Sequence, residues 1–167
     1  MAGLGVFFPV ATPADVTTDF RSNLVLVNLG ASAITCALTS GDHAREVEVP
    51  AGAYLQVNDV GNWLGLGPGT AGVEVTGSGS WTGFVSSIDP VLGDPTTMAG
   101  LVPSGDVVRL FPGVASLPGE NGTEWRSQAV IASVADGETT VVLELLQRDS
   151  PDVAASASVA LAAGEVL

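Results

Sequence analysis

Phe20-Arg21-Ser22-Asn23-Leu24-Val25-Leu26-Val27 returns late in the chain as Trp125-Arg126-Ser127-Gln128-Ala129-Val130-Ile131-Ala132. In both stretches an aromatic-Arg-Ser lead-in opens onto an apolar run too short for a helix. That is the signature of a strand near the middle of a sheet. The match spreads outward from there. Phe8-Pro9 reappears as Phe111-Pro112, and Ile34-Thr35-Cys36-Ala37-Leu38 as Thr139-Thr140-Val141-Val142-Leu143. Val47-Glu48-Val49-Pro50-Ala51-Gly52 reappears as Val159-Ala160-Leu161-Ala162-Ala163-Gly164. The spacing between matched stretches lengthens along the chain, so the added residues fall between strands, where loops absorb them. The stretch from Gln56 to about Ser104 has no second counterpart. The sequence therefore reads as one complete unit, 1–104, followed by a partial second repeat, 105–167.

The rest of the chain agrees with an all-β protein. Twenty-one glycines and ten prolines separate short β-rich runs, as in an antiparallel sandwich. Strands are expected over Val6–Ala11, Asn23–Leu29, Ile34–Thr39, Arg45–Pro50, Tyr54–Val57, Gly72–Thr76, Trp81–Ile88 and Met98–Val102 in the first unit. The second copy offers Val107–Val114, Ser127–Val134, Thr139–Leu146 and Ala154–Leu161. Only Val57–Leu64 has room for a helical turn, with Asn58 or Asp59 as its cap.

Composition narrows the function. Of 167 residues, 46% are apolar and 14% charged, which excludes a disordered chain. All five basic residues are arginines, and 18 acidic residues bring the formal net charge to −13. A field of that sign repels phosphate backbones, so no nucleic-acid partner is expected. No stretch is apolar enough over its length to span a bilayer. Met1–Ala11 lacks the cationic start and unbroken core of a signal peptide, and reads as a first strand. Cys36 is the only cysteine, so no intramolecular disulfide or thiolate zinc site can form. Its counterpart is Val141, which marks it as a small buried hydrophobe.

A half sandwich leaves sheet edges and an apolar face without partners. It can pack on the complete unit, accept a strand from a neighbouring subunit, or continue into a longer array. The charge-free segment Gly5-Val6-Phe7-Phe8-Pro9-Val10 is the expected donor if strands are exchanged. The aromatic-Pro and aromatic-Arg-Ser lead-ins, the Pro/Ala-Ala-Gly turn and the closing Val102-Pro103 resemble a tandem module of secreted bacterial surface proteins. That module is similar to immunoglobulin-like and fibronectin-like sandwiches. The antibody pattern of two cysteines around a tryptophan is absent. The resemblance implies an extracellular or cell-surface location and a spacer, adhesive or polymer-forming role.

No catalytic constellation emerges. His43, the sole histidine, lies in Ser40-Gly41-Asp42-His43-Ala44 with no strained nucleophile turn beside it. Glu46, Glu48 and Glu74 alternate with valines, the pattern of an outward strand face. Calcium is the one possible cofactor: Asp89 and Asp94 bracket an acidic Pro/Gly loop, and Asp149 and Asp152 flank Pro151. Neither loop has the spacing of a dedicated calcium motif. Trp63, in a glycine-rich loop, is the best candidate for an exposed stacking residue, whereas Phe20, Trp125 and Trp81 read as core anchors. Arg21 and Arg126 recur together and are expected to hold a loop carbonyl or carboxylate. Asn121-Gly122-Thr123 matches the glycosylation sequon, with Asn121 as acceptor. These readings favour a non-enzymatic subunit of a self-assembling filament or surface layer, a homopolymer held by strand complementation. A glycan- or surface-binding module using Trp63, Asp89 and Asp94 is the alternative.

Overall fold

The computed structural model describes residues 5–91, 93, 95–102, 116–122, 124–127, 129, 131–133, 135–147, 150–163 and 165–167. The chain is all-β, with antiparallel sheets. In the first unit the strands are β1 (Val6–Thr12), β2 (Arg21–Asn28), β3 (Ile34–Ser40), β4 (His43–Val49), β5 (Tyr54–Val57), β6 (Gly69–Gly77), β7 (Trp81–Ile88) and β8 (Pro95–Ala99). One short helix, α1 (Val60–Leu64), follows β5. The strands form two four-stranded sheets, ordered β1-β6-β3-β4 and β5-β2-β7-β8. β2 and β3 lie in different sheets, and so do β6 and β7. Because β2 pairs with β7 and β3 with β6, the two crossing pairs stack at the centre of the sandwich.

Side-chain alternation dictates which face is buried. Val73 and Val75 point into the core from β6 while Glu74 between them points out. Phe8 and Val10 from β1, Ile34, Cys36 and Leu38 from β3, and Leu24 and Leu26 from β2 complete the same core. The unbroken run in β2 is explained by cover on both sides: Val25 lies between Gln56 and Phe84 across the outer face of its sheet. Asn28, at the end of β2, is a buried polar residue with a structural task. Its side-chain amide donates to the carbonyls of Ser32 (2.8 Å), Val49 (3.0 Å) and Pro50 (3.1 Å), and its Oδ1 accepts from Gly30 N (2.8 Å). It ties the β2–β3 turn to the end of β4.

The last strand departs from expectation. Met98–Val102 was expected to be its span; β8 runs Pro95–Ala99, and the chain then crosses at Gly100 to the other sheet. Leu101 there pairs with Phe7 through two hydrogen bonds of 2.8 Å. A side chain at residue 100 would collide with Val6 and Phe8, so only glycine fits the crossing. Phe20, expected as a core anchor, is 50% exposed, because β2 begins one residue later and turns it off the sheet.

The second segment carries two further hairpins. β9 (Ser116–Pro118) pairs with β10 (Glu124–Arg126), two short strands that propensity did not announce. β11 (Thr139–Leu146) pairs with β12 (Val153–Leu161). The β11–β12 pairing follows the internal repeat residue for residue: Ile34 opposite Val49 corresponds to Thr139 opposite Leu161, and Leu38 opposite Arg45 to Leu143 opposite Ala157. The bridge between Ala132 and Val166 likewise corresponds to Val27 opposite Tyr54. The turn bond from Ala53 N to Pro50 O (3.2 Å) recurs as Glu165 N to Ala162 O (3.1 Å). The longer spacing sits in the β11–β12 loop, where β3 and β4 need only Gly41-Asp42. Val107–Val114, including Phe111-Pro112, lies outside the described residues, as do Gln128, Val130 and Val134.

Candidate functional site

At one end of the sandwich sit the loop 13–20, the β3–β4 turn, α1, and the β7–β8 loop. This end gathers the sequence-predicted ligand residues that the structure describes. Trp63 is half-buried on α1, packed against the core, with the Arg45 guanidinium 5.0 Å from its ring centre. This cation–π contact occupies a ring face that a sugar would need. α1 starts without a side-chain cap: Asp59 adopts a left-handed conformation (φ 46°), and its backbone N–H donates to Asn23 Oδ1 (3.0 Å). Asp89 Oδ1 accepts from Val91 N (2.8 Å), an Asx turn that shapes its own loop. Asp94 lies outside the described residues. Among the described residues no three His, Cys, Asp or Glu side chains converge as metal ligands.

Loop 13–20 is organised by two carboxylates. Asp19 Oδ2 accepts from Ala14 N and Asp15 N (both 3.0 Å), and Asp15 Oδ1 accepts from Thr17 N (2.8 Å) and Thr17 Oγ1 (2.7 Å). These bonds favour the charged forms. The Thr17 hydroxyl holds Asp15 below its ordinary value, and the Asp15 backbone N–H does the same for Asp19. Below this loop a cleft of about 560 Å³ opens between β1 and β8, lined by Thr12, Phe20, Ser22, Thr70, Thr96 and Met98. Cys36 is fully buried and burial pushes its thiol up, so it is chemically quiet.

The expected donor segment, Gly5–Val10, is placed in the first unit's own sandwich. Val6–Thr12 form β1, paired along its length with β6, and Phe8 and Val10 are core residues. Its outer edge offers a neighbour little. Phe7 is bonded to Leu101, Pro9 has no N–H, and the Ala11 N–H donates to Ser22 Oγ (2.8 Å). The other edges of this unit are blunted too. β4 carries Arg45, Glu46 and Glu48, with Arg45 turned over Trp63; β5 has only four residues; β8 begins with Pro95. Charges, inward-pointing charge, shortness and proline are the usual protections of an exposed edge.

The β11–β12 hairpin has few such protections, and its ladder is regular but for a register shift at Leu145–Leu146. Glu144 is the single charge in its two strands. Its apolar side chains face water: Val142 is 58% exposed, Leu145 51% and Val153 46%. The hairpin face that corresponds to the interior of the first unit is covered near Leu161 and open near Leu143 and Leu145. In the sequence this hairpin is only part of an unfinished repeat. The signal that could have singled it out is the loss of charge between β4 and β12. The second segment touches the first at Gly72, on the outer face of β6. A Cβ there would sit 3.3 Å from Val166 Cγ2 and 3.7 Å from Ala132 Cβ, so glycine makes room for the bridge. Asn121 lies in the 3-10 turn Glu120–Gly122. Among the described residues no helix is long and apolar enough to cross a membrane. No family model, curated protein or solved structure matches the chain.

Proposed function

We propose that this chain is a non-enzymatic, extracellular structural subunit that works by associating with copies of itself. One observation carries the reading. A sandwich whose own edges are blunted is followed by the hairpin β11–β12, whose two strands expose apolar side chains and carry a single charge, Glu144. Apolar side chains displayed together on a ribbon mark an interaction surface. Association through this segment needs no rearrangement of the first unit. Donation of Gly5–Val10 instead would first withdraw Phe8 and Val10 from the core, a domain swap. The glycan-binding alternative at Trp63 would have to displace Arg45 from the ring.

The test is the mass of the purified chain by sedimentation velocity from sub-micromolar to high micromolar concentration. The expected result is a mass that rises with concentration and is insensitive to added calcium. A monomer at every concentration would refute self-association.

A further inference from the structure

The internal repeat supplies a built-in control for one strand. β4 is a sheet edge in the first unit, beyond β3 in the order β1-β6-β3-β4. β12 holds the corresponding place beside β11. Among the described residues no strand pairs with the far side of β12. Residue for residue, Arg45, Glu46 and Glu48 of β4 correspond to Ala157, Ser158 and Ala160 of β12. Every charged residue of β4 from Arg45 onward that guards the edge in the first copy is a small uncharged residue in the second. β12 runs nine residues, Val-Ala-Ala-Ser-Ala-Ser-Val-Ala-Leu, without charge, proline or glycine. Its ladder with β11 is regular from Ala155 to Leu161, beyond a register shift at Ala154, and over that stretch the edge is open to pairing.

We propose that β12 is the contact strand of self-association, pairing antiparallel with β12 of a second copy to join two β11–β12 hairpins into one four-stranded sheet. The proposal rests on the self-association reading above and names its contact. Three arguments select a second copy as the occupant. A two-stranded ribbon alone is marginally stable in water, whereas four strands make a sheet of the size that the first unit uses twice. The chain carries a formal net charge of −13, so copies repel one another wherever charges would meet. The uncharged strand lets them approach without burying a charge. An antiparallel pair of identical strands is also self-complementary under a two-fold axis, so the contact closes on itself. The strand is about 30 Å long, so the contact lies at the small end of specific interfaces and associates in the micromolar range.

The experiment transplants the guard of β4 onto β12. In the full chain, Ala157→Arg, Ser158→Glu and Ala160→Glu are combined, and Ser158→Lys is made alone; these positions are exposed, so folding is preserved and is checked by circular dichroism. Sedimentation equilibrium then compares each with the parent. The expected result is that the parent associates and both variants need at least about tenfold higher concentration to do so. If parent and variants associate alike, β12 is not the contact, while self-association stands. If the parent is monomeric throughout, both the contact and the structural reading fall.

Discussion

At the scale of single residues, the first unit is decided by a few side chains whose places leave no freedom. Phe8 is fully buried between the sheets, and its ring lies against the space that Gly83 and Gly100 leave empty. Phe8→Ala would open a cavity there and cost about 3–5 kcal/mol of stability. Equilibrium denaturation of the purified variant measures this. A loss below about 1 kcal/mol would mean that β1 is not fixed in its own sandwich. The burial of Cys36 was legible because its repeat partner is a valine. The role of Asn28 was not: nothing in a one-dimensional string shows that an asparagine will meet three carbonyls from two separate turns. Phe20 misled for a related reason. Recurrence of an aromatic shows that a position matters to the fold, and not which way its side chain turns.

At the scale of elements, loop 13–20 depends on two ionised carboxylates, and its response to acid has a definite sign. Both Asp15 and Asp19 are held below their ordinary value of 3.8 by hydrogen bonds made only in the folded loop. A depressed folded value gives stability that is present above the unfolded value and lost as pH falls through the folded one. The carboxyl carbons of Asp15 and Asp19 should therefore titrate with midpoints below 3.8, with the amide signals of Ala14 and Thr17 moving in step. Midpoints at or above that value would show that the loop is not held as described. Strand spans in the first unit were largely legible, since alternation in β6 and the apolar run in β2 follow directly from which faces are covered. The crossing at Gly100 was not, because it depends on Phe8 and Val6 being beneath it. The protection of β1 by Pro9, Leu101 and Ser22 needs three dimensions as well.

At the scale of the whole molecule, the chain sets a guarded sandwich beside an unguarded hairpin that follows the same pairing plan. Over Thr139–Leu145 and Ala155–Leu161, where β11–β12 share the register of β3–β4, the contrast between the outer strands is one of side-chain chemistry. The repeat itself was readable in the sequence; that β4 is an edge, and hence that its charges have a task, required the sheet order. The central claim is that copies meet through β12 and leave the first unit unchanged. Amide hydrogen exchange resolved along the chain, at concentrations well below and well above the association midpoint, tests it most directly. Residues 153–161 should exchange at least about tenfold more slowly at high concentration, while residues 43–49 and 6–12 keep their rates. Equal rates in 153–161 at both concentrations, or slowing confined to 6–12, would contradict it.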